Sequence, residues 1–177
     1  MLQLIVFRHA KASREPGIAD HDRPLTDRGR RNARQMGAWL AAENLVPDLA
    51  TISDSKRTRQ TFDLARTAFP ARLRTVSDPD LYHASEAYIL TMLRDVHPGA
   101  TRILLCGHNP GLHDFTTGLV GSADRGALEL FRAGFPTAAI AVLDLDIGGW
   151  DDIRWRAARL ARFVTPATLN NDGGDED

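Results

Sequence analysis

The most constraining feature of this sequence is a short apolar run near its start that leads directly into two chemically active side chains. Residues 4–7 are all apolar, and Arg8 and His9 follow them at once. An apolar run without polar alternation is typical of a strand buried on both faces, as in a parallel sheet. Because open α/β sheets bind ligands at the carboxyl edge of their strands, we expect Arg8 and His9 to lie at such an edge.

Two later segments repeat this arrangement. Residues 49–52 predict a short strand, and Arg57 falls in the first turn of the helix that follows it. Residues 102–106 predict another buried strand, and His108 comes two residues after its end. Parallel strands end at the same edge of a sheet, so we expect Arg57 and His108 to join the first pair there.

The order of the predicted elements indicates the fold class. Strands and helices alternate over most of the chain, which is typical of a three-layer α/β sandwich with a mainly parallel central sheet. Residues 138–146 and 150–159 flank a Gly-Gly pair and predict an antiparallel edge hairpin with a tight turn. We expect one domain over residues 1–165 and an acidic, disordered tail over residues 166–177.

Composition argues against several classes of protein. The formal net charge is −1, so the overall balance shows no signature of a polyanion-binding protein, and we expect no nucleic-acid partner. Cys106 is the single cysteine, which excludes an internal disulfide and suits a reducing compartment. We find neither an apolar run long enough to span a membrane nor a signal-peptide pattern, and therefore expect no membrane partner and a cytoplasmic location.

The side chains expected at the sheet edge suit the chemistry of phosphoryl groups. Guanidiniums such as Arg8 and Arg57 bind phosphoryl oxygens in bidentate fashion. Asn109 is a favourable helix N-cap and the proline after it a favourable first helical residue, so a helix N-terminus is predicted beside them. A neutral imidazole, from His9 or His108, can act as a nucleophile near neutral pH. This set predicts phosphoryl transfer through a covalent phosphohistidine.

Three motifs, in this order, resemble the histidine phosphatase superfamily, whose fold is phosphoglycerate-mutase-like. They are Arg8-His9-Ala10, Ser53-x-x-x-Arg57-Thr58-x-Gln60-Thr61 and Gly107-His108-Asn109-Pro110. The resemblance implies that His9 is the nucleophile that becomes phosphorylated. It also implies that Arg8, Arg57 and His108 hold the phosphoryl group and stabilise the transition state. A further segment, Arg23-Pro24-Leu25-Thr26-x-x-Gly29, is similar to the SixA-type phosphohistidine phosphatases within that superfamily.

The sequence departs from the superfamily pattern at two positions. Ala10 stands where many members have glycine after the Arg-His pair. Many members also carry a glutamate as general acid in a Leu-x-Glu context, whereas this chain reads Leu81-Tyr82-His83. Asp80 and Glu86 are near, but neither is in the matching register. His83 is therefore either an alternative acid in the substrate site or a polar residue at a helix entrance.

These observations lead to one functional expectation and two alternatives. We expect a metal-independent phosphatase that needs no cofactor, is monomeric, and acts on phosphohistidine in a partner protein. Asn109 and His83 join Arg8, Arg57 and His108 as candidate substrate contacts. A metal site is not indicated, because the chain has no cysteine cluster and no His-Glu-x-x-His pattern. The alternatives are a small-molecule phosphomonoesterase of the same fold and a phosphate-binding module without catalysis.

Overall fold

The apolar run near the N-terminus forms strand β1, Leu2–Arg8, inside the sheet of the computed structural model, which describes residues 1–70, 73–95 and 99–171. The sheet of this described part has seven strands in the order β3-β2-β4-β1-β6-β7-β5. The other strands are β2 Leu49–Ser53, β3 Arg74–Asp78, β4 Arg102–Gly107, β5 Val120–Ala123, β6 Ile140–Leu145 and β7 Ala158–Val164.

The pairing of these strands confirms a mainly parallel sheet with an antiparallel hairpin. β1 pairs with β4 in parallel, as β2 does with both β3 and β4. β6 runs antiparallel to β1 and to β7, and these two pairings form the antiparallel part of the sheet. β5 pairs with β7 in parallel and occupies the sheet edge, so the hairpin lies one strand inside that edge.

Helices cover both faces of the sheet, which confirms the predicted three layers. In the described residues they are α1 Asp27–Ala42, α2 Lys56–Ala65, α3 Glu86–Arg94, α4 Gly111–Leu119, α5 Arg125–Arg132 and α6 Pro166–Asn171. Alternate residues of β1 face opposite ways, as the pleat of a strand requires. Ile5 and Phe7 pack in the core with α1 and α2, whereas Leu4 and Val6 pack with α3, α4 and α5.

The hairpin has a longer connection than the Gly-Gly pair predicted. Gly148 and Gly149 lie between the two strands, but the second strand is Ala158–Val164 instead of residues 150–159. Trp150 begins a 3₁₀ turn, is buried, and donates from Nε1 to the carbonyl of Ala100 at 2.7 Å. Burial of this large side chain in the α3 layer takes residues 150–152 out of the sheet, a long-range effect that turn propensity does not report.

The segment expected to be a disordered tail begins with a helix. α6 packs against α1, and Leu169 lies against the same apolar cluster as Phe7. Gln35 donates from Nε2 to the side-chain oxygen of Asn170 at 2.7 Å. The predicted tail of residues 166–177 is thus helical as far as Asn171, and residues 172–177 lie outside the described part of the chain.

Among the described residues, no helix combines the length and the apolar character that crossing a bilayer requires.

A glycine sets the distance between α1 and α2. Gly37 is buried on α1, and a Cβ built on it would lie 2.2 Å from the carbonyl oxygen of Ala65 at the end of α2. The obstructing atom belongs to the backbone, so it cannot move aside as a flexible side chain would. The close contact of the two helices therefore requires a residue without a side chain at position 37.

We expect Gly37→Ala to lower the free energy of unfolding by about 1–3 kcal/mol, because the added methyl group overpacks this contact. Gly126→Ala is the matched control, since a Cβ at Gly126 in α5 meets no atom within 4 Å. That variant should be neutral or gain up to about 1 kcal/mol through better helix propensity. Urea denaturation of both variants measures the difference, and equal effects would contradict the close contact.

Candidate active site

The predicted site forms where β1 and β4 end side by side. Their parallel register pairs Arg8 with Gly107, and the backbone N–H of His9 donates to the carbonyl of Gly107 at 3.0 Å. This register places the next residues, His9 and His108, next to each other. Their ring centroids are 5.1 Å apart.

All six residues predicted for the site line one cavity of about 330 Å³. They are Arg8, His9, Arg57, His83, His108 and Asn109. Sequence reasoning assigned no site role to the other residues that line it, which are Lys11, Ala12, Arg14, Asp20, Arg23, Tyr82 and Thr137. A larger cavity of about 700 Å³ lies between α3 and the strands β2 and β3, but no histidine of the described residues lines it. The smaller cavity is therefore the candidate active site on chemical grounds.

His9 has the protonation pattern of a nucleophile. Its Nδ1 lies 2.8 Å from the carbonyl oxygen of Ala10, and because a carbonyl only accepts, Nδ1 carries the ring proton and donates it. The lone pair of the neutral ring is then on Nε2. Burial lowers the pKa of His9 to about 4, and the charges of neighbouring arginines, Arg57 foremost, act in the same direction. His9 is therefore neutral at physiological pH.

Both guanidiniums are anchored through their terminal nitrogens. Arg8 donates from Nη1 to the carbonyl of Phe135 at 2.6 Å, and Arg57 donates from Nη1 to the carbonyl of Asp20 at 2.5 Å. The Nε atoms of Arg8 and Arg57 are buried and have no hydrogen-bond partner in the described part of the chain. Buried donors in proteins are usually paired, so each guanidinium keeps an N–H that is free to bind a ligand.

His108 is held by a cluster of hydroxyl groups. Its Nε2 lies 2.8 Å from Ser53 Oγ and 3.2 Å from Thr58 Oγ1, with Ser55 Oγ at 3.5 Å. Burial lowers the pKa of His108 to about 3, with the charge of Arg57 acting in the same direction, so the ring is neutral. The opposite ring atom, Nδ1, is buried and unpaired within the described residues.

The hydroxyl cluster was not predicted as part of the site. Ser53, Ser55 and Thr58 are all fully buried, between the end of β2 and the first turn of α2. Ser53 and Thr58 belong to the motif that identified Arg57, and this was the signal available in the sequence. Their oxygens surround the Nε2 atom of His108 and so restrict the orientation of the ring.

Asn109 lines the cavity but does not cap a helix, which corrects the prediction. α4 begins at Gly111, and its N-cap residue is Pro110. The Nδ2 atom of Asn109 donates to the carbonyl of Phe135 at 3.0 Å, the same oxygen that anchors Arg8. This contact spans 26 residues of sequence, so local capping preference could not reveal it.

The position of the superfamily's glutamate is occupied by His83. His83 is exposed, and its ring packs against that of Tyr82 with centroids 4.0 Å apart and the ring planes tilted by 56°. Asp80 and Glu86 do not line the cavity, and Asp20 is the one carboxylate among the described residues that do. Hydrogen bonds from Tyr82 and Arg23, together with the charge of Arg57, lower the pKa of Asp20 far below its usual range. Asp20 is therefore ionised and has no proton to donate.

Comparison with known proteins agrees with this geometry. The profile of the Histidine phosphatase superfamily (branch 1) matches residues 4–83. An uncharacterized protein of Mycobacterium tuberculosis is 36% identical over 162 residues, which are 90% of this chain and 99% of that protein.

Two solved structures extend the likeness over the fold. A structure named as a phosphohistidine phosphatase SixA from Agrobacterium tumefaciens superposes with a TM-score of 0.78 at 29% identity, covering 93% of this chain and 98% of that one. The protein histidine phosphatase SixA complexed with tungstate shares the fold, with a TM-score of 0.74 at 20% identity over 95% and 99% of the two chains. The chain therefore belongs to the histidine phosphatase superfamily, and its fold matches that of the SixA structures.

Proposed function

We propose that this protein is a phosphatase that forms a covalent phosphohistidine on His9 and acts on phosphohistidine in a partner protein. The proposal rests on a set of buried nitrogen atoms without hydrogen-bond partners that surround a neutral imidazole. Arg8 Nε, Arg57 Nε and His108 Nδ1 have no partner among the described residues, and all three side chains line the cavity that His9 lines. Membership of the superfamily and the SixA-type neighbours support phosphatase activity in general.

The proposed reaction has two displacements at phosphorus. In the first, the Nε2 lone pair of His9 forms a P–N bond, and the bond from phosphorus to the substrate nitrogen breaks. The electron pair of the broken bond stays on the leaving imidazole, which takes a proton from water. In the second, water attacks phosphorus and gives up a proton to the solvent, the bond to His9 breaks with its electron pair returning to Nε2, and inorganic phosphate leaves. Arg8 and Arg57 balance the charge on the phosphoryl oxygens in both steps.

The lack of a protonated carboxylic acid among the described residues that line the cavity favours a nitrogen leaving group. An alkyl ester expels an alkoxide, which needs a proton in the transition state. An imidazole leaving group has a conjugate acid with a pKa of roughly 6.5 and can leave without a dedicated acid. Asp20 is ionised, and position 83 holds a histidine instead of the superfamily's glutamate. These facts support phosphohistidine over alkyl phosphates as the substrate class.

The covalent step is testable directly. Brief reaction with ³²P-labelled phosphohistidine protein should leave acid-labile, alkali-stable phosphate on the enzyme, and His9→Ala should abolish both label and turnover. His113→Ala is the matched control, because this partly exposed histidine on α4 does not line the cavity. The reactions should proceed equally well in EDTA. Label that persists on the His9→Ala variant would contradict the assignment, and tungstate binding without any turnover would favour a phosphate-binding module.

Substrate class is tested by a leaving-group series. We expect turnover to fall from phosphohistidine protein to aryl phosphates and then to alkyl phosphates, because leaving-group basicity rises in that order. His83→Glu should raise alkyl-ester turnover by up to about 10²-fold, the scale of a positioned general acid, with little change on phosphohistidine. A wild-type enzyme that hydrolyses alkyl esters as fast as phosphohistidine would support the phosphomonoesterase alternative. Uniform loss of activity in His83→Ala would rule out a substrate-selective role.

The neutral state of the nucleophile can be tested without substrate. Below a pH of about 6.5 the unfolded imidazole binds a proton, whereas folded His9 stays neutral down to about pH 4, so the unfolded state binds more protons. The free energy of unfolding should therefore fall as the pH decreases between these values. Urea denaturation across this range should give a shallower dependence for His9→Gln than for the wild type.

His21→Gln is the control for this experiment. A hydrogen bond with Asp54 raises the pKa of His21, so His21 is protonated in both the folded and the unfolded state over most of that range. Its removal should leave the slope unchanged. An unchanged slope in His9→Gln would mean that folded His9 takes up its proton at an ordinary pH.

A further inference from the structure

Asp20 joins three parts of the site through one side chain. The residue lies in the 3₁₀ turn Asp20–Asp22, within the long loop that follows the nucleophile. Its Oδ1 accepts from Arg23 Nε at 2.9 Å and from Arg23 Nη2 at 2.6 Å. Its Oδ2 accepts from Arg57 Nη2 at 3.0 Å and from the hydroxyl of Tyr82. The loop, α2 and the turn after β3 are thus held by a single carboxylate.

The contact with Arg57 uses only one edge of the guanidinium. Nη1 donates to the backbone carbonyl of Asp20 and Nη2 donates to its carboxylate, so Asp20 takes the end of the fork. The other edge consists of Nε and the second N–H of Nη2, which together suit bidentate binding of two phosphoryl oxygens. Arg57 Nε on that edge is buried and unpaired within the described residues.

We propose that Asp20 is a positioning residue for the phosphoryl transfer, acting through Arg57. Asp20 lies in the loop and binds both Nη atoms of Arg57. These bonds direct the edge of the guanidinium that carries Nε toward the phosphoryl group. This inference rests on the proposed function, since it assigns Arg57 to that group. Asp20 forms no bond with substrate, and its effect on rate comes entirely from the orientation of a guanidinium that does.

The residues around the Asp20 carboxylate agree with a role in positioning neighbouring cations. Asp20 is the one acid among the described residues that line the cavity, beside five cations: Arg8, Lys11, Arg14, Arg23 and Arg57. Its side chain is 55% exposed, so the pairs it forms are screened by water and add little to overall stability. The negative charge of Asp20 opposes binding of a phosphoryl dianion. In this proposal, the orientation that Asp20 gives to Arg57 outweighs that repulsion.

A double-mutant cycle tests whether Asp20 acts through Arg57. We expect Asp20→Asn alone to lower kcat/KM about 10- to 100-fold, as a misplaced catalytic group does. In the Arg57→Ala background the same change should cost less than about twofold, because the guanidinium through which Asp20 acts in this proposal is gone. If the Arg57→Ala variant does not fold, Arg57→Lys takes its place, because lysine keeps the positive charge but lacks the planar guanidinium. Losses that multiply would overturn the proposal.

Asp22→Asn is the matched control for the turn itself. Asp22 lies in the same 3₁₀ turn, and its carboxylate is 3.6 Å from His21 Nδ1 and does not line the cavity. This variant should retain wild-type activity. A loss as large as that of Asp20→Asn would mean that any disturbance of the turn lowers the rate, and the proposal would fail.

A binding measurement separates this proposal from the proposed function. Tungstate, a phosphate analogue, can be titrated calorimetrically into the wild type, both single variants and the double variant. We expect Asp20→Asn to weaken tungstate binding in the wild-type background and to have no effect without Arg57. Tighter binding by Asp20→Asn would show that the carboxylate only competes with anions, and would overturn the proposal. If the wild type turned over no substrate, the proposed function would fail, while this cycle would still decide the role of Asp20.

Discussion

The parallel pairing of β1 with β4 is the interaction on which the rest of the site depends. It aligns Arg8 with Gly107, so that the two strands end at the same level and deliver His9 and His108 side by side. β1 is buried on both faces, against α1 and α2 on one side and α3 and α4 on the other. A slip of one residue would exchange the faces of every side chain on the strand and is opposed by both halves of the core.

The site must also hold several cations close together at the carboxyl edge of the sheet, where they are partly buried from water. Burying a guanidinium without partners is costly, and the chain offsets this cost largely with backbone oxygens. The carbonyls of Phe135 and Asp20 take the Nη1 atoms of Arg8 and Arg57. The histidines add no charge, because burial keeps both neutral. The same environment therefore limits repulsion within the site and keeps a lone pair on His9.

Predictions from local sequence patterns were wrong where a large buried side chain or a carbonyl distant in sequence determined the conformation. Trp150 leaves the expected strand because its indole is buried beside Ala100, 50 residues away. Asn109 has the chemistry of an N-cap, yet it turns toward Phe135. The elements β5 and α5, Val120–Ala123 and Arg125–Arg132, were not predicted. β5 is short and two of its four residues are exposed, so it carries little of the apolar pattern that marks a buried strand.

The sequence by itself determined the fold class and the residues of the candidate site, because both depend on short-range patterns. Apolar runs mark the buried strands, and the residues that end them, Arg8, His9, Arg57 and His108, meet wherever parallel strands end together. Only the tertiary structure decided how these groups are held. Arg8 is anchored by a carbonyl 127 residues away, and Arg57 by one 37 residues away. Such partners are backbone oxygens and loop side chains that carry no motif, and their positions follow from the packing of the whole chain.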